Sequence, residues 1–441
     1  MLGLHTDIEL LILDYITTYR DLRALSLTSK ACHKHAIPRL YRHVNIPLWH
    51  HSARSFYEQF HLGGKDYLRH TRTLIIEHQE ITNPHSGFAP KYKDKPDEDA
   101  VKLAEDLKMV TLLAVLQLFP PDVLRDFRFV SSCCIPLMAL QHLSLEQRLI
   151  TTLHSTYIDE QIPNSAFWSI DLFHSVRHLD LHTGLQPSVF GNFFRRMAYS
   201  HNAMERLSLN ACLLRDFDGE LFQYMLDATA HLDIEASDSI LPRLEDLSVC
   251  GFDLALSWYS VLRKVINFER LDRLHISKCY SGPMFFADLG SDPTIESLHL
   301  KHIAVDCLNE DSHGRREEGL RPAPIDSCLE EVLGKCGPLV SLHVGWYEQW
   351  IQKRETGLIR NILDKIHRHG EALRVLALCP HKANDNFEEE IDSLGVNLDL
   401  VCKACPNLEQ LEYQLGPGVL VDTSNNREVD TVLDDFVVRH F

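Results

Sequence analysis

Residues able to do chemistry are plentiful in this chain, and their spacing points to binding. Polar residues recur in pairs two apart, set among apolar ones: Asp126/Arg128, His142/Ser144, His178/Asp180, Arg206/Ser208, Asp246/Ser248, Arg273/His275, Ser297/His299 and Ser341/His343. Along a β-strand successive side chains point to opposite faces, so each pair would stand on one open face. His275, His299 and His343 fall at the same offset in three successive units. Neighbouring strands lie about 4.8 Å apart, so the three rings could stack as a ladder. Protonating one ring would oppose protonating the next, and each would titrate low. Such a ladder reads either as part of a ligand surface that loses affinity in acid or as an ordinary solvated sheet face. His178, Asp180, Arg206, Asp246, Arg273, His275, His299 and His343 are the candidate binding residues.

Catalytic and metal-binding patterns find little support. The chain has no Gly-x-Ser-x-Gly, no His-Glu-x-x-His and no Walker-type loop. Gly63-Gly-Lys65 is too short to cradle a phosphate. Cys402-Lys-Ala-Cys405 is one Cys-x-x-Cys without the second pair a zinc site needs, and reads as the end of a helix. Cys133-Cys134 reads as buried packing, and His50-His51 and His367/His369 as solvated faces. No catalytic residue, metal ligand or cofactor is expected.

The elements that would position the polar pairs are short repeated strands. Apolar residues at i, i+3 and i+5 begin at Thr71, Leu124, Leu140, Val176, Met204, Leu244, Leu271, Ile295, Leu339, Leu373 and Leu408. A stricter form, with Leu at i+3 and non-apolar neighbours, passes at eight of these starts against roughly four expected from composition. Cys212 and Cys279 sit at i+8, where a small polar group can satisfy backbone atoms as the chain turns. Helices are expected between the strands, at 188–201, 255–268 and 357–369. Strand, turn and helix in repeated units predict an α/β solenoid with a parallel sheet on its concave side.

The first residues follow a different pattern. Leu4, Ile8, Leu11, Ile12, Tyr15 and Ile16 fall at helical spacing, with Thr6 or Asp7 as cap. Leu22, Leu25 and Leu27 begin a second pattern that Pro38 is expected to interrupt, and Leu40-Tyr41 with Val44 and Ile46 leads outward as an arm. Some forty-five residues is near the lower limit for an independent core, so this block is expected to lean on a partner or on the next domain.

The block resembles an F-box, and its fungal form in particular. Leu22-Arg-Ala-Leu-Ser-Leu-Thr-Ser-Lys30 is similar to the second part of that motif, and Pro38-Arg-Leu-Tyr-Arg-His-Val44 to the arm that follows it. His5 stands where the family usually has Pro, and Asp7 where it has Glu. The resemblance implies a three-helix F-box over 1–47, followed by an irregular leucine-rich-repeat solenoid over 48–415. It implies a substrate-recognition adaptor of a cullin–RING ubiquitin ligase, with no enzyme activity of its own. The F-box would dock on a Skp-type adaptor, and through it a cullin, while the repeats hold a protein substrate. Leu4, Ile8, Leu11, Ile12, Leu22, Leu25 and Leu27 would form the adaptor face, or would serve in part as the block's own core. The alternative is a leucine-rich-repeat scaffold that takes no part in a ligase.

Composition bounds these readings. Lys and Arg number 44 against 62 Asp and Glu, a formal net charge of −18. So acidic a chain is a poor general binder of phosphate backbones, and no nucleic-acid partner is expected. Asp7, Glu9 and Asp14 stand where a signal peptide would be basic and then apolar, and 110–119 is too short to span a bilayer. No membrane is expected, and the twelve dispersed cysteines suit a reducing compartment, cytoplasmic or nuclear. Residues 83–100, 306–327 and the acidic tail 416–441 read as loops or partly disordered segments.

Overall fold

The computed structural model describes residues 6–47, 50–78, 110–131, 135–155, 175–183, 203–211, 241–252, 254, 258–279, 282–307, 325–347, 365–381, 401 and 403–413. The fold is α/β, and the strands among the described residues are all parallel. The chain divides into two units, residues 1–185 and 186–441.

The first unit opens with helices α1 (Thr6–Asp14), α2 (Tyr19–Ser26) and α3 (Lys30–Leu40). Thr18 Oγ accepts from Asp21 N at 3.1 Å, and Ser29 Oγ accepts from Cys32 N at 3.1 Å, so a hydroxyl caps each of the last two helices. Pro38 does not interrupt the pattern as expected. It lies near the end of α3, where its missing N–H costs the helix little more than one bond. Leu13, Leu22, Ala36, Ile37 and Leu40 form a small core, with Ile16, Leu25 and Tyr41 packed against it. Asp14 and Arg39 close the side of this core with an ion pair at 2.5 Å.

The expected arm is a strand. β1 (His43–Pro47) pairs in parallel with β2 (Thr73–His78) across α4 (His50–Gln59) and α5 (Lys65–Leu68). β3 (Asp126–Ser131), β4 (Thr152–Ser155) and β5 (His178–Thr183) extend the ladder in sequence order, with α6 (Leu137–Glu146) between β3 and β4. Val44, Leu74, Phe127, Leu153 and Leu179 form one inward row, and all are buried. Gln147 replaces a backbone partner where the chain turns into β3. Its Oε1 accepts from Val123 N at 3.1 Å and Leu124 N at 3.0 Å, and its Nε2 donates to Pro120 O at 2.8 Å.

The second unit stacks β6 (Arg206–Ala211), β7 (Asp246–Cys250), β8 (Arg273–Cys279), β9 (His302–Cys307), β10 (Ser341–Tyr347), β11 (Val375–His381) and β12 (Gln410–Tyr413) in the same manner. Its inward row runs Leu207, Leu247, Leu274, Ile303, Leu342, Leu376, Leu411. Helices α7 (Trp258–Val265), α8 (Gly282–Ser291) and α9 (Ile325–Lys335) return the chain between strands. Cys279 meets the i+8 expectation: its buried Sγ reaches Val249 O at 3.5 Å and Ser277 O at 3.2 Å. Gly370 has no room for a side chain, since a Cβ there would meet Ala404 O at 1.7 Å.

Several expected positions move. The match at Leu140 lies on α6, where Leu140 and Leu143 are buried while Leu145 is exposed. The strand of that unit is β4, opened by Ile150. The match at Ile295 is five residues early, because β9 is opened by Leu300. Asp306 belongs to β9 and residues 325–327 to α9, so neither lies in the expected loop. His369 is buried rather than solvated, and its Nε2 donates to Leu333 O at 3.2 Å. Burial holds its imidazole below the ordinary value. The expected helix at 188–201, Cys133-Cys134, Cys212, Cys402 and residues 83–100 and 416–441 lie outside the described residues.

Candidate binding surfaces

Two kinds of surface stand out, one on the helical block and one on the sheet of each unit. On α1 and the turn that ends it, Ile8, Leu11, Ile12 and Tyr15 fall on one stripe at i, i+3, i+4 and i+7, and all are exposed, Leu11 by 56%. Tyr19 and Leu27 on and after α2 are exposed too, Leu27 by 80%. Leu13 and Leu22, by contrast, are 0% and 7% exposed. The seven residues named from the sequence therefore separate by environment. Ile8, Leu11, Ile12 and Leu27 face outward, Leu22 is core and Leu25 packs against it. Leu4 lies outside the described residues. Tyr15, part of the apolar pattern in the sequence but not of the adaptor face expected from it, and Tyr19 add to this surface.

Large apolar side chains left in water are informative only as a group. Here the group sits on a block that already has a core behind it. Burying the outward residues against a second surface would gain up to about 1.5–3 kcal/mol for a side chain taken from fully exposed to fully covered.

In the first unit the open sheet face carries the register row His43, Thr73, Asp126, Thr152, His178 and, beside it, Asn45, Ile75, Arg128, His154, Asp180. These side chains are largely paired with one another. Arg128 Nη2 donates to Asp126 Oδ2 at 2.7 Å, and Asn45 Nδ2 donates to Glu77 Oε1 at 2.9 Å. His154 Nδ1 lies 2.6 Å from Asp180 Oδ2, and Thr152 Oγ lies 3.4 Å from His178 Nδ1. His178 and Asp180 thus stand on the open face as the sequence predicted.

In the second unit the face carries Arg206, Asp246, Arg273, His302, Ser341 in one row and Ser208, Ser248, His275, Ala304, His343 in the next. Arg206 Nε pairs with Asp246 Oδ2 at 2.8 Å. Arg206, Asp246, Arg273, His275 and His343 are all where the sequence placed them. His299 is not. It precedes β9, and Ala304 occupies its rung between His275 and His343. The expected three-ring ladder is therefore two rings about 10 Å apart, flanking a small side chain. His302 is the ring the sequence reading missed, because the early match at Ile295 hid it.

Burial, and then the neighbouring His343, hold the His275 imidazole below the ordinary value. Burial, and then the Arg273 guanidinium, do the same for His302. Both rings are neutral at neutral pH and present one donor and one acceptor each. Ser248 Oγ lies 3.4 Å from His275 Nδ1, a hydroxyl beside an imidazole. The arrangement suits many polar contacts with a bound surface.

Among the described residues, no group of three or more His, Cys, Asp or Glu could hold a metal ion. No described helix is long and apolar enough to cross a membrane. Burial pushes the Cys336 thiol up to about 12, so it is protonated at neutral pH. No protein-family model matches the chain, and no curated protein matches it.

Proposed function

We propose that the chain is a non-enzymatic substrate-recognition adaptor of a cullin–RING ubiquitin ligase. Residues 1–47 act as an F-box that docks on a Skp-type adaptor, and the strands that follow act as leucine-rich repeats that hold a protein substrate. The observation that carries this reading is the outward stripe of Ile8, Leu11, Ile12 and Tyr15, with Leu27, on a helical block whose core is already filled. The motif Leu22–Lys30 and the arm 38–44 agree with it. The polar sheet face of the second unit, with Arg273, His275, His302 and His343, is the favoured substrate surface.

The test is co-purification with a Skp-type adaptor. The intact chain should retain it. The double variant Leu11→Asp/Leu27→Asp should release it while keeping its melting temperature, because neither side chain belongs to the core. Retention by the double variant would reject the assigned face. If the intact chain captures no adaptor, the second reading takes over, a repeat scaffold outside any ligase. His5 and Asp7, the two departures from the F-box pattern, favour that reading.

A further inference from the structure

The residue just before each strand forms a register row of its own. In the first unit the row reads Arg42, Arg72, Arg125, Thr151, Arg177, and in the second Glu205, Glu245, Asp272, Lys301, Val340, Arg374, Glu409. Backbone bonds fix the rungs. Arg42 O accepts from Arg72 N at 2.8 Å and Thr73 N at 3.0 Å, and Arg72 O accepts from Arg125 N at 2.8 Å and Asp126 N at 3.0 Å. Arg42, Arg72 and Arg125 therefore follow one another about 4.8 Å apart.

Among the described residues, none of these three guanidinium groups has a carboxylate partner. Arg72 Nη1 donates to Val123 O at 2.9 Å, and Arg125 Nη1 donates to Leu149 O at 3.3 Å. Among the described residues Arg42 makes no such clasp. Exposed Arg69 adds to the same neighbourhood, with its Nε 3.2 Å from His70 Nε2. Burial, then Arg69 and Arg72, hold the His70 imidazole below its ordinary value. Between residues 19 and 72, Lys and Arg outnumber Asp and Glu ten to three, in a chain of net charge −18.

The clasp alone does not account for the arginines. Glu205, Glu245 and Asp272 hold the same row position beside equally regular strands of the second unit. Three adjacent like charges repel, so an anion that pairs with them relieves a standing cost. A guanidinium has five N–H donors, and the clasp uses one while fixing the head in place.

We propose that this rim of the first unit binds a carboxylate-rich α-helix of a partner protein, independently of the ligase reading. Helix residues three or four apart lie about 5–6 Å from each other, close to the rung spacing. An extended strand sets same-face residues about 6.8 Å apart and falls out of step within two rungs. A nucleic acid is disfavoured by the strongly acidic remainder of the chain, which repels a long phosphate backbone.

The probe is a fluorescent helical peptide with Glu at every fourth position, titrated into the full chain. Two charge-matched controls are a proline-broken peptide and a single-stranded oligonucleotide. The variants Arg42→Glu/Arg69→Glu and Arg42→Gln/Arg69→Gln leave both clasps intact. The helical peptide should bind, weaken as salt rises, and lose about tenfold or more in affinity with the Gln pair and further with the Glu pair. The proposal is overturned by no binding of the helical peptide or by binding that neither variant changes. Equal binding of the proline-broken peptide, or tighter binding of the oligonucleotide, overturns it too.

Discussion

Thr71 shows how one atom departs from the rule its neighbours follow. It opens the second strand's unit at a position otherwise filled by Leu124, Ile150 or Val176, and it is 0% exposed with its hydroxyl unpartnered. Burying a hydroxyl without a bond is unfavourable, and valine has the same shape without it. Thr71→Val should raise stability by about 1 kcal/mol, read as a higher melting temperature; a lower one would show the hydroxyl to be satisfied in solution. Asp292 is the opposite case. Its Oδ2 accepts from Tyr259 Oη at 2.5 Å and pairs with Arg263 at 2.9 Å, and its Oδ1 accepts from Thr294 N at 2.9 Å and Thr294 Oγ at 2.7 Å. Burial raises the carboxyl pKa, but these bonds and the Arg263 charge outweigh it and hold the group below its ordinary value. A depressed folded pKa adds stability above the unfolded pKa, and that stability is lost as pH falls through the folded one. Asp292→Asn should therefore cost about 1–3 kcal/mol at neutral pH. It should also flatten the acid side of the stability curve, measured by denaturant midpoints across pH. An unchanged acid slope would remove Asp292 from that role.

At the scale of elements, most strands were legible because their inward residues keep one spacing, apolar at i, i+3 and i+5. Nine of the eleven matches in the sequence open a strand. Leu140 misled because positions i and i+3 also share a face of a helix, and only the exposure of Leu145 at i+5 tells the two apart. β4 was missed because Ser155 stands at its i+5 position. β9 was missed because Ile295, Leu298 and Leu300 satisfy the spacing five residues early, and only pairing with β8 and β10 sets the phase. β1 reads as an arm in the sequence because nothing in residues 41–46 reveals that Thr73–His78 lies beside them. The arginine rim was legible in principle: the residue after each opening apolar position can be read off the same alignment. The register correction makes its own prediction. His343→Ala should raise the titration point of His275, because His343 is one of the groups lowering it. His299→Ala should leave it unchanged. NMR titration of the His275 ring checks both, and a shift with His299→Ala alone would restore the three-ring ladder.

Over the whole molecule, charge and apolar surface are unevenly divided. The segment 19–72 is basic in an acidic chain, and it adjoins the helices that leave Ile8, Leu11, Ile12 and Leu27 in water. The sheet faces carry mixed, mostly paired polar groups. That division supports the proposal that the chain brings proteins together through separate surfaces. The most direct test is the mass in solution of the chain mixed with a Skp-type adaptor, measured by sedimentation. The account predicts a one-to-one complex that Leu11→Asp/Leu27→Asp dissolves into two folded components. Two separate species from the unmodified chain would contradict it.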